Sequence, residues 1–405
     1  MIHANCHLDS PAHVAMKTTH CLLLALWGCV GHLIAQTPAF NCGSNGSYGP
    51  MNITANTTLS LPPDGIFHCT TVNIAAGTNV FFTRNALNTP VYILATGDVV
   101  IEGDVYVDGK AATGAEGGSG GPGGFDGGPA SISNATAAGA GFGPGGGRPA
   151  GAGVYQSGHG AYRISDSGPL NGQTYGNHLL LPLVGGSGGA GAPGENSTAR
   201  GGGGGGGAIL IASNTRIRFM TSGTSHTALR ANGGNGGSSA GRDSGSGSGG
   251  AIRVVAPVVE GRVSFFTRAG NGFGAGRSRV DSFDRTQLIV NPSAPLDASG
   301  TVMVAIPTPV SKLTIANAAG TAIAENAGGP VSVILPAGTN PSQTIQVRAR
   351  DFGSVVPIRV RLVPESGDAT TFDASIDNTV NNPATTNVPV TLPINTGVRI
   401  EVFTR

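Results

Sequence analysis

The chain has 405 residues and a formal net charge of +1, with 68 glycines, 26 prolines and 39% hydrophobic residues. A near-neutral balance removes the electrostatic ground for nucleic acid or an anionic membrane surface as partner. Apolar residues gathered into short runs exclude a disordered tail, and the length allows two domains. The expected class is all-β and glycine-rich.

Residues 1–35 read as a secretory signal. Met16-Lys17 precedes an apolar run from Cys21 to Val30, Leu33-Ile34-Ala35 offers cleavage after Ala35, and residues 1–15 read as an over-long start. The run is shorter than the about 20 apolar residues of a membrane-spanning helix. The mature chain is therefore expected without a membrane span, secreted or held at the cell surface. Cys42 and Cys69 remain in it, and in an oxidising compartment they are expected to form one disulfide. Closing that loop of about 27 residues is worth roughly 3 kcal/mol in the chain-entropy account.

Residues 37–290 read as one glycine-rich domain. Gly65–Phe82 alternates as strand, and three phrases then superimpose without gaps as strand, break, strand: PVYILATGDVVI, AILIASNTRIRF and AIRVVAPVVEGR. Repetition of this kind predicts a parallel β-helix or related solenoid, whose rungs bury inward side chains against one another. A sandwich or barrel also fits short, evenly spaced strands. The insert 110–200 carries glycine at every third place, at 118, 121, 124 and 127 and again at 185, 188, 191 and 194. Three residues make one turn of polyproline-II helix, so bundled polyproline-II, ordered loops and disorder are the readings for it. Residues 291–300 read as a linker. Residues 301–405 carry seven or eight short alternating segments, among them TVMVAI and VSVILP, and predict an immunoglobulin-like β-sandwich. Arg348, Arg350, Arg359 and Arg361 are expected on its solvated face.

Catalytic groups are sparse. Glycosidic hydrolysis needs two carboxylates about 5–10 Å apart. Glu102, Asp104 and Asp108 share a parity on the first repeated phrase and are the candidates, against a plain role as strand and turn residues. His68, His159, His178 and His226 lack metal-ligand spacing, so no metal and no cofactor is expected. Tyr155, Tyr162 and Tyr175 are the candidates for stacking on a sugar ring.

At GDVVIEGDVYVDG, GGGGGGGAILIAS, ANGG and GSGGAIRVVAP the chain resembles a group of glycine-rich proteins exported by environmental bacteria, over Leu61 to Arg279. The resemblance implies an exported repetitive β-protein and supplies no activity. The third-residue glycines are more distantly similar to the polyproline-II bundles of glycine-rich antifreeze proteins and of some phage tail adhesins. Between Ala137 and Gly185 the spacing departs from the regular face that ice binding requires. The expected function is non-catalytic: an extracellular or cell-surface structural, adhesin-like protein, with extracellular polysaccharide or cell-surface components as partners. The alternatives are a carbohydrate-active lyase or hydrolase of β-helical fold and an ice-binding protein.

Overall fold

The strand-forming phrases pair with one another rather than with their neighbours in sequence, and this sets the architecture. The computed structural model describes residues 39–151, 156–165, 167–194, 198–221, 223–239, 241–272 and 274–405. The expected signal, 1–35, lies outside them. The protein is nearly all β, 38% strand and 1% helix. Its largest sheet has fifteen strands, all paired in parallel, and the chain visits three rows of it in turn. The first row runs through Ile66–Ile74, Val91–Ala95, Ala208–Ser213, Ala251–Val255, Arg277–Asp281 and Ala298–Gly300. The second takes Gly49–Ile53, the end of Ile66–Ile74, Val99–Ile101, Arg216–Phe219 and the start of Val258–Phe266. The third takes Thr57–Ser60, Asn79–Thr83, Asp104–Tyr106, Thr227–Arg230 and the end of Val258–Phe266.

Register places like beside like. Phe67, Ile93, Ile211, Val254 and Val280 form one inward column, and Val80, Val105, Leu229 and Phe265 another. All are buried in a single cluster shared by the three rows. Each such side chain removed from water contributes roughly 1.5–3 kcal/mol, which no rung gains alone. Ala208–Ser213 and Ala251–Val255 are buried at every residue, so their outward faces are covered too. This is why they read as continuous apolar runs rather than alternating ones.

The cover is the glycine-rich insert, which is ordered by backbone hydrogen bonds. Gly201–Gly207, the run that follows the insert, is the stretch of backbone the insert is bonded around. Amides 201, 204 and 207 donate to the carbonyls of Gly114, Lys110 and Val107; amides 202 and 205 to Gly128 and Phe125; amides 203 and 206 to Gly245 and Ser248. Every third residue thus addresses the same neighbour. Its carbonyls accept in the same rhythm, 202 and 205 from Gly118 and Gly121, 203 and 206 from Gly189 and Gly186. None of the seven glycines has a left-handed φ; each is required by close approach, since a Cβ would stand 2.0–2.6 Å from a neighbouring carbonyl oxygen.

Four corrections concern the C-terminal part. The expected linker 291–300 ends in Ala298–Gly300, a strand of the parallel sheet, and TVMVAI forms no strand: Met303, Ala305 and Ile306 pack instead on the outward face of the first row. Beyond it, Thr321–Ala322, Lys312–Ala318, Ser342–Arg350 and Ala384–Thr391 form one antiparallel sheet, and Thr370–Asp377, Val355–Pro364 and Val398–Thr404 a second. An apolar cluster including Ile345, Val347, Ile358 and Val360 lies between them. VSVILP is not paired as a strand. The four arginines are not a plain solvated face either. Arg348 and Arg350 clamp Glu325, at 3.2 and 2.6 Å, and Arg359 pairs with Asp373 at 2.7 Å. Arg361 is buried against the insert, bonding Glu401 at 3.1 Å and the Gly141 carbonyl at 2.8 Å.

Replacing Gly204 tests the close packing directly. Gly204→Ala drives a Cβ to 2.2 Å from the Ser119 carbonyl oxygen, whereas Gly328→Ala meets nothing within 4 Å. Chemical denaturation is expected to show a loss of about 1–3 kcal/mol or more for the first and a change within about 0.5 kcal/mol for the second.

Candidate functional site

Parallel, in-register stacking turns each outward position into a column, with neighbours about 4.8 Å apart. On the third row Val80, Val105, Leu229 and Phe265 point inward, so Phe81, Tyr106, Arg230 and Phe266 point out in register. Phe81 and Tyr106 stack with centroids 4.8 Å apart and planes at 27°. The Arg230 guanidinium lies 5.0 Å from the Tyr106 ring and 5.6 Å from the Phe266 ring, and Arg268 lies 5.3 Å from Phe266 on the same row. Cation–π attraction holds such a column together. Ring faces are turned along the column, so it offers solvent the positively polarised ring edges and guanidinium N–H groups. The face of Phe81 ends the aromatic run, and that residue is 38% exposed.

The candidate carboxylates flank this column. Asp104 and Asp108 stand either side of Tyr106, on one parity as expected, but both are engaged. Asp104 Oδ1 accepts from the Ala228 amide at 2.8 Å, and the Tyr106 hydroxyl lies 3.4 Å from Oδ2. Asp108 Oδ1 accepts from the Asn232 amide at 2.6 Å, and Oδ2 accepts from Arg230 Nε at 3.2 Å. Burial pushes the Asp108 carboxyl above the ordinary carboxylate range, opposed by the Asn232 amide and Arg230. Both aspartates therefore tie one rung to the next, across a sequence separation of 124. Glu102 sits half-buried at the corner before Asp104–Tyr106, and among the described residues its carboxylate has no hydrogen bond or ion pair. The other two candidates, Asp104 and Asp108, are engaged as described and do not stand free beside it. On the second row Glu260 is paired with Arg218 at 2.7 Å, and Arg216 with Asp98 at 3.7 Å.

The tyrosine candidates are corrected by their surroundings. Tyr162 is buried, and its ring stacks on Tyr175 at 4.6 Å, with the Arg277 guanidinium 5.4 Å away. The Tyr175 hydroxyl donates to the Gly185 carbonyl at 2.5 Å and accepts from Ser187 at 3.1 Å. Tyr162 braces the glycine-rich segments from within and offers no face to a sugar, whereas Tyr175 is half-buried, with its ring on Tyr162 and its hydroxyl bonded into the insert. Tyr155 lies outside the described residues. Cys42 and Cys69, expected as a disulfide, are free and buried thiols in different apolar clusters. Cys42 Sγ donates to the Ala95 carbonyl at 3.3 Å, while burial, reinforced by Cys42, pushes the Cys69 thiol up to about 12. Among the described residues no group of three or more His, Cys, Asp or Glu is arranged to hold a metal.

Sequence reasoning passed over Phe81, Arg230 and Phe266. The signal was present as an aromatic directly after an inward apolar residue, in Val80-Phe81, Val105-Tyr106 and Phe265-Phe266, but only the register shows that Phe81, Tyr106 and Phe266 share a column.

The phenols packed into the fold give a pH dependence. Burial raises Tyr162 above the usual tyrosine value, and Tyr175 well above it, while Tyr92 rises to about 12. The unfolded chain ionises at about pH 10, below the folded chain. Stability from burying these groups neutral is thus intact below about pH 10 and falls as pH rises above it. An alkaline ultraviolet titration is expected to show their ionisation coinciding with loss of tertiary structure, and Tyr162→Phe to reduce that cooperative step. No protein-family model, no curated protein and no solved structure matches this chain.

Proposed function

We propose that the protein is an exported, non-catalytic structural and adhesin-like component of the cell surface or extracellular matrix. In this reading the three stacked rows are a β-solenoid, the glycine insert is a polyproline-II bundle covering one of its faces, and the two C-terminal sheets are an immunoglobulin-like module. The ligand is extracellular polysaccharide, bound along the column Phe81–Tyr106–Arg230–Phe266.

One observation carries the non-catalytic reading. Asp104 and Asp108 are used as ties between rungs, accepting from Ala228 and Asn232, so hydrolysis by a pair of carboxylates lacks its pair. The hydrogen-bond period of three around Gly201–Gly207 supports the polyproline-II assignment. The column supports binding because it is partly exposed, regular along the stack and amphipathic: ring edges and guanidinium groups suit hydroxyl and carboxylate oxygens of a glycan.

Residues 36–405 incubated with insoluble and soluble polysaccharides are expected to be retained without releasing new sugar ends or unsaturated products. Tyr106→Ala is expected to weaken retention roughly tenfold by removing the ring edge and hydroxyl from the middle of the column. Tyr162→Phe is expected to leave it unchanged. Product formation that disappears in Glu102→Gln would replace the adhesive reading with an enzyme.

A further inference from the structure

The C-terminal sheets leave one side of their shared core open. Val398–Thr404 pairs with Val355–Pro364 on one edge, and among the described residues no strand pairs with its other edge. An unprotected seven-residue edge is a template for another strand. Beside it lies a cleft of about 820 Å³, with Ile315, Ile400 and Val402 in its walls and Phe125 at its rim. The inward residues Val398, Ile400 and Val402 are only half-buried, while Val356, Ile358 and Val360 on the adjoining strand are 3%, 0% and 0% exposed. The core is thus one strand short along this edge.

A complementary strand exists in the chain itself. Between Thr321–Ala322 and Ser342–Arg350 the backbone forms no strand, although Val331–Leu335 alternates as one. Val331, Val333 and Leu335 line the cleft; Ile334, on the other parity, is 93% exposed. Pro330 and Pro336 bracket the segment, limiting a strand to the length of Val398–Thr404 and leaving every interior N–H available. In its own chain the stretch is pinned at both ends. The Ile323 amide donates to Ala316 O and Arg350 holds Glu325 at one end; the Leu392 amide donates to Pro341 O at the other. So held, its apolar side chains reach the cleft but its backbone makes no ladder with Val398–Thr404.

We propose that this cleft is a strand-acceptor site for a second copy of the chain, whose Pro330–Pro336 segment enters it and extends the sheet at Val398–Thr404. Gly328 and Gly329, preceding the segment, are the hinge, and exchange in both directions gives a two-fold symmetric pair. Added backbone hydrogen bonds supply affinity, and the three alternate apolar side chains supply register. The proposal is independent of the polysaccharide reading, which concerns a different face.

Light scattering on residues 36–405 is expected to show a dimer fraction that grows with concentration. Val333→Arg is expected to abolish the dimer and to leave polysaccharide retention unchanged, with the thermal melt lowered only as far as the loss of one half-buried side chain allows. Mixing chains that carry only Ile334→Cys with chains that carry only Arg399→Cys, which face the same side of an antiparallel ladder that sets Val333 opposite Ile400, is expected under oxidising conditions to give a disulfide-linked heterodimer. A monomer at every concentration would overturn the proposal. So would a dimer unaffected by Val333→Arg, or cross-linking confined to single chains that carry both substitutions.

Discussion

Backbone crowding around Gly201–Gly207 is the constraint on which the rest of the structure rests. Seven consecutive residues have a carbonyl oxygen where a Cβ would stand, and their amides reach three separate neighbours in rotation. No side chain larger than hydrogen fits there without moving backbone. In return, polar groups that would otherwise be buried unpaired are satisfied by one another. The segment runs directly into Ala208–Ser213, so it joins the glycine bundle to the parallel sheet. It also lets the bundle cover Leu210 and Ala212 on the outward face of the first row.

A long insertion between two rungs poses a closure problem, solved at specific side chains. Residues 110–200 leave after Asp104–Tyr106, and the next rung begins at Ala208. Asp104 and Asp108 bridge the gap through Ala228 and Asn232, and Ser213 Oγ donates to the Gly97 carbonyl at 2.8 Å on the first row. These bonds fix the register that aligns Phe81, Tyr106, Arg230 and Phe266. The residues that read most like catalytic candidates are thus the ones that make a regular outward column possible.

The C-terminal sheets are seated on the insert by a buried charge pair. Arg361 and Glu401 are 5% and 7% exposed, and the pair is completed by the Gly141 carbonyl and the Gly143 amide, 3.1 Å from Glu401 Oε2. Buried ions are tolerated when their remaining donors and acceptors are engaged, and they define geometry more than they add stability. Phe125 against Phe403, centroids 5.7 Å apart, and Arg399 over Phe142 complete the same contact. This explains why Arg361, on the same alternation as Arg359, is inside: the face that alternation assigns to solvent is partly occupied by glycine-rich backbone.

Local chemistry alone determined the β character, the strands of the three repeated phrases and the third-residue glycine rhythm. Each follows from neighbours in the chain: branched residues at period two, small residues at period three. The shared parity of Glu102, Asp104 and Asp108 was legible for the same reason. What those carboxylates bond to was not, because Ala228 and Asn232 stand more than a hundred residues away. Tyr162 looked available because burial of an aromatic depends on what packs over it, and here that is glycine-rich backbone held by bonds between distant segments. VSVILP has the alternation of a strand, yet a strand exists only with a ladder partner, and its own chain holds it away from one. The sequence by itself determined which segments extend and which residues are small enough to crowd. Only the tertiary structure decided which distant segments meet, since register and cover are properties of pairs of segments and not of either one.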